Sequence, residues 1–220
     1  MQVSFLFDDE HSNYVDVEIN DKGIKKKKKL FPEAAIQMLN QSTTFSFCNH
    51  IGRMPRGYVD ANFDFSSMSG KVIIHVAAHV QKMDFNGSVG LIPFPSLILL
   101  FKFKDGKHME SYVFGTKEDT LGKITQYTEL YNYPYGNVYS DSGRVCWGGN
   151  THEPIKALWE VDILTDKFLN SSSNSDLYRL GTSNASGLKL EELLVKLNEK
   201  ESFPKKYLVK SKNTIGKLLD

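Results

Sequence analysis

The sequence predicts an α+β fold: an antiparallel meander of about four strands covered by helices, with a β-hairpin and short helix of its own in front. Three observations carry this reading. β-prone runs at 58–65, 71–83, 97–103 and 108–115 are punctuated by Ser69-Gly70, Asn86-Gly87 and Asp105-Gly106, connections too short for a parallel crossover. Downstream, Ile155, Leu158, Trp159, Ile163, Leu164 and Phe168 recur at helical spacing, which makes 153–169 an amphipathic helix with Pro154 in its first turn. Upstream, 3–7 and 14–19 flank the acidic turn 8–13.

In chain order, Val15, Val17 and Ile19 alternate with Asp16 and Glu18, so the second of these runs is a half-buried strand and the pair a hairpin. Asn20-Asp21-Lys22-Gly23 is a further turn. The lysines from Lys25 to Lys29 then lead to Leu30-Phe31-Pro32 and the helix formers of 33–41, where Pro suits a helix start. Residues 1–52 thus hold the hairpin and short helix. Residues 53–187 form the core, within which 133–150 is rich in Gly, Asn, Pro and Ser, an ordered loop of the kind that carries function. Residues 188–220 supply a second amphipathic helix, on Leu188, Leu190, Leu193, Leu194 and Leu197, and a tail with Phe203-Pro204.

Composition excludes whole classes of function. The 220 residues carry 27 Lys and Arg against 26 Asp and Glu, a net charge of +1, so no global field draws in nucleic acid, membrane or acidic substrate. Two cysteines rule out a disulfide framework. The start, Met1 to Glu10, lacks the basic and long apolar parts of a signal peptide. The longest strongly apolar run, Leu97 to Phe101, is far too short for a membrane helix. A cytoplasmic protein is expected, with no membrane partner.

Cys146 stands out because Gly143-Arg144-Val145-Cys146-Trp147-Gly148-Gly149 puts a thiol in a glycine-flanked irregular segment, where a substrate carbonyl can approach a thiolate. The competing reading is a buried structural cysteine, the reading that Cys48 beside Phe45 and Phe47 invites more strongly. No metal is expected: among two cysteines and six histidines, only Cys48 and His50 have ligand spacing, and no second pair answers them. His75 and His79, on one face of the strand read at 71–83, would stand about 13 Å apart as partly exposed histidines. No cofactor loop or HExxH element occurs. Lys25 to Lys29 offer a weak nucleic-acid contact, against the commoner reading of a solvated face.

The stretch Tyr133-Pro134-Tyr135-Gly136-Asn137-Val138-Tyr139-Ser140-Asp141-Ser142-Gly143-Arg144-Val145-Cys146-Trp147 resembles the active-site segment of ubiquitin-conjugating (UBC) enzymes. It is more similar still to the bacterial PRTRC system protein B family, in its aromatic-Asn-Val-Tyr, Asp-Gly and Val-Cys-x-Gly elements. The resemblance implies a UBC-like fold and a ubiquitin-like protein carried on Cys146 as a thioester, received from a ThiF-like adenylating enzyme and passed to an amine. It implies that Asn137 holds the loop or polarises the thioester carbonyl, that Asp141 orients or deprotonates the amine, and that Tyr135, Tyr139, Gly143, Val145, Trp147 and Gly148 shape the loop. Tyr135-Gly136 stands where His-Pro is usual, one extra residue separates Asn137 from Cys146, and Trp147 replaces an aliphatic residue. The family's histidine after the covering helix has no counterpart in Asp166-Lys167-Phe168-Leu169-Asn170-Ser171. A non-catalytic UBC-fold docking module for the adenylating protein is therefore the alternative, and a plasmid-associated accessory factor is another.

Overall fold

The computed structural model describes residues 2–6, 14–21, 23–36 and 53–219. The chain divides into two compact units, Met1–His50 and Ile51–Asp220. In the first, β1 (Gln2–Leu6), β2 (Val15–Asp21) and β3 (Ile24–Leu30) form an antiparallel sheet in that order. Val15 and Val17 point to the buried side against Ala35, as their alternation requires. The lysine run is not a linker into a helix, as its composition suggested, but the body of β3. The run 24–29 is exposed throughout, and Lys27 pairs with Glu18 across the sheet at 2.5 Å. Charged edges of this kind discourage pairing with another chain. Residues 32–36 are helical from Pro32 onward; the rest of that expected helix, together with Cys48 and His50, lies outside the described residues.

The second unit confirms the α+β class and enlarges the sheet. β4 (Tyr58–Asp64), β5 (Ser69–Val76), β8 (Ser96–Lys104) and β9 (Lys107–Thr116) pair antiparallel, and β10 (Glu129–Asn132) and β11 (Lys210–Thr214) extend the same sheet to six strands. The single run read at 71–83 is two strands. β5 ends at Val76, and β6 (His79–Phe85) leaves the sheet to pair only with β7 (Ser88–Phe94). Ala78 N–H donates to Ser96 Oγ at the break (3.0 Å). His75 and His79 therefore do not share a strand: His75 is buried, whereas His79 stacks on Phe94.

β8 is buried along nearly its whole length, which explains why Leu97-Ile98-Leu99-Leu100-Phe101 reads as a continuous apolar run and not an alternating one. On one face, Leu97, Leu99 and Phe101 meet Val72, Ile74 and Val113 beneath α1 (Val161–Leu169) and α2 (Leu190–Leu197). On the other, Ile98 and Leu100 meet Ile73, Phe114 and Ile215 of α3 (Ile215–Leu219). Four leucines of α2, Leu190, Leu193, Leu194 and Leu197, enter the core, each contributing roughly 1.5–3 kcal/mol.

The covering helix is shorter than its periodicity suggested. A 3₁₀ turn at Leu158–Glu160 precedes α1, and Pro154 is not in a helix. The cause is a tertiary tether: Ile155 N–H donates to Gly106 O (2.8 Å) and its side chain is buried, which holds this stretch extended over the β8–β9 turn. Arg56 then fixes α1 itself. Its backbone N–H donates to Asp162 Oδ1 (2.8 Å) and its guanidinium to Asp166 (2.7 Å). Among the described residues no helix is long and apolar enough to cross a membrane.

Candidate functional site

The segment around Cys146 is held against β9. Gly143 O accepts from Val113 N–H, and Val145 N–H donates to Ser111 O, both at 2.8 Å. Val138 and Val145 bridge antiparallel, and Tyr139 O accepts from Gly143 N–H (2.7 Å), which closes a tight turn over 139–143. Gly143 carries the positive φ, +77°, that the turn needs. Cys146 follows at the end of this ladder. Its N–H donates to Asn137 O (2.8 Å) while its side chain is exposed, so the backbone is fixed and the thiol is open to the surface.

Asn137 is a brace. It adopts φ +66°, and its amide Nδ2 donates to Ser172 O (2.7 Å), tying the Cys146 segment to the loop that follows α1. Gly136 makes that contact possible: a Cβ there would lie 1.9 Å from Asn174 O. Tyr135 is a core residue, fully buried, with its hydroxyl donating to Pro93 O and its pKa driven far up by burial. Val145 is likewise buried. Tyr139 lies under the Arg144 guanidinium, 4.9 Å from its carbon to the ring centroid. Gly148 is exposed with φ +60°.

Beneath these residues opens a cleft of about 660 Å³ lined by Asn137, Cys146, Trp147, His152, Lys167 and Asp176 among others. Asp141, expected beside the amine, sits exposed in the 139–143 turn and does not line the cleft; the carboxylate that does is Asp176. Thus Cys146, Asn137, Val145, Trp147 and Gly148 are brought together, whereas Tyr135 serves the core.

Sequence reasoning passed over a histidine pair. His152 sits edge-on to Trp147 at 4.4 Å and 5.0 Å from the ring of His108. His108 Nε2 lies 2.6 Å from Ser111 Oγ, which also accepts from Trp147 Nε1–H (3.3 Å). His152 lies six residues beyond Cys146 in a polar loop, where no ligand-like spacing marks it. Both ring nitrogens of His152 are buried without a hydrogen-bond partner among the described residues. Burial first, and the Lys167 charge second, hold it below the usual imidazole range. His152 thus lines the wall of the cleft with its charged form disfavoured. The described residues contain no cluster that could hold a metal ion.

Burial, reinforced by His152, lowers His108 to about 4. The unfolded chain titrates near 6.5 and takes up its proton first, so stability falls as pH drops from about 6.5 toward about 4 and is fully retained above that window. Urea midpoints compared at neutral and mildly acid pH are expected to show this loss, and His108→Gln, which removes the titrating group, is expected to shrink it.

A family model described as prokaryotic E2 family D matches residues 37–211, a span that contains every residue of the cleft. No curated protein matches the chain, and no solved structure does.

Proposed function

The chain belongs to prokaryotic E2 family D and so has a conjugating-enzyme-like role; from that premise we propose that Cys146 carries the C-terminal glycine of a ubiquitin-like protein as a thioester and passes it to an amine. The observation that carries this reading is the cleft, in which an exposed thiol on a fixed backbone shares a wall with an unpartnered, neutral imidazole. The modifier reaches Cys146 by exchange from an adenylating, E1-like partner, for which the bacterial PRTRC cassette supplies a ThiF-like protein.

Both ring nitrogens of His152 are buried, so the ring turns to present one to the cleft, where it takes the proton of the attacking amine and returns it to the departing sulfur. Its burial favours the neutral form at neutral pH, the form a base needs. Asn137 acts through position: with its amide engaged by Ser172 O, it sets the mouth of the cleft and leaves the carbonyl oxygen to other donors. Asp176, which lines the cleft where Asp141 does not, supports the approach of the amine. The docking-module alternative has less support, since a cysteine kept only for packing would be buried and Cys146 is exposed.

Preloaded protein offered free lysine tests the assignment. His152→Gln is expected to slow discharge of the thioester by about 10²–10⁴, the usual worth of a positioned base, with loading of Cys146 unchanged. Equal discharge rates in the two proteins would remove His152 from the chemistry.

A further inference from the structure

Among the described residues, Lys167 is the only lysine or arginine lining the Cys146 cleft. It lies on α1, whose neighbouring acids are already engaged: Asp162 and Asp166 both pair with Arg56, at 3.3 and 2.7 Å. Among the described residues Lys167 has no ion pair. Its chain neighbour Phe168 is buried and packs edge-on against Trp147 at 6.2 Å, and Trp147 is the chain neighbour of Cys146. One aromatic contact thus fixes the backbone that bears the lysine relative to the backbone that bears the thiol. Lys167, His152 and Cys146 line this one cleft, which places amine, imidazole and thiol around one space.

We propose that Lys167 is an acceptor in cis: a modifier held on Cys146 is transferred to the Nζ of Lys167 of the same chain, so that the protein labels its own α1. This rests on the thioester reading above and names an acceptor for it. The amine form of Lys167 attacks the thioester carbonyl carbon. A C–N bond forms and the C–S bond breaks. The proton lost by nitrogen passes through His152 to Sγ, which leaves as the thiol, and nothing is oxidised or reduced. Tethering favours the step, because two groups held in one cleft react at an effective concentration far above that of a lysine in solution. An isopeptide on Lys167 would occupy the cleft, so the product is a chain that no longer discharges to other amines.

The test uses full-length protein and, as probe, the 2-mercaptoethanesulfonate thioester of a short peptide ending in Gly-Gly. Products are mapped by mass spectrometry before and after dithiothreitol. The expected result is a reducible adduct on Cys146 that decays as a dithiothreitol-stable adduct appears on Lys167, at a rate independent of protein concentration. Lys167→Arg is expected to lengthen the life of the Cys146 adduct at least tenfold. If Cys146 loads while Lys167 stays unmodified, or Lys167 is acylated equally in Cys146→Ala, the acceptor assignment is overturned and the thioester reading stands. If Cys146 does not load, the thioester reading fails and the acceptor assignment falls with it.

Discussion

Gly143→Ala is expected to be strongly destabilising although it adds a single methyl near the site. At φ +77° an alanine is strained in the left-handed region, at about 1–2 kcal/mol. Its Cβ would lie 2.4–2.5 Å from two carbons of the Phe114 ring, and Phe114 is 1% exposed between the central strands and α3, so the ring has nowhere to move. Overpacking of this kind adds about 1–3 kcal/mol. Together the two effects amount to several kcal/mol, a large part of the stability of an ordinary domain. The damage also reaches the site, because Gly143 O anchors the ladder to Val113 that ends at Cys146. Urea unfolding reads the first effect and loss of Cys146 loading the second. Gly149→Ala is the control: nothing lies within 4 Å of its added Cβ, and its unfolding midpoint is expected to stay near that of the unsubstituted protein.

Cys146→Ala is expected to do the opposite, abolishing all acyl transfer while leaving stability within about 0.5 kcal/mol of the parent. The thiol is exposed, and the contact that orders this position is made by its backbone N–H to Asn137 O, which alanine keeps. A separate fall in stability would show that the sulfur is a packing group, as the docking-module reading holds. Activity and thermal unfolding measured on one preparation distinguish the two.

How much of this was legible in the sequence depended on whether the signal was local. The strands about Asp105-Gly106 follow from turn chemistry, and Cys146 could be singled out because the glycines around it break any periodic pattern. The run 71–83 hid its break, since Ala77-Ala78 carries no turn residue; the partner at that point, Ser96 Oγ, is distant in sequence. The helix expected from Pro154 begins later because Gly106 captures Ile155, a tertiary contact that overrides a good helix pattern. At the site, Asn137 was marked by its neighbours' resemblance to a known segment, but its engagement with Ser172 was not. His152 left no spacing signal at all. It joins Cys146 only through the fold, by way of Trp147 and His108.

The claim on which the rest depends is that Cys146, and not Cys48, is an acyl carrier. The most direct measurement is the intact mass of the full chain, and of Cys146→Ser, after exposure to the Gly-Gly peptide thioester, with the adduct located by fragmentation. One adduct is expected on the unsubstituted protein, at Cys146 and removed by dithiothreitol, and an oxyester resistant to dithiothreitol at the same position in Cys146→Ser. An unmodified Cys146, or an adduct that forms equally on Cys48, would contradict it.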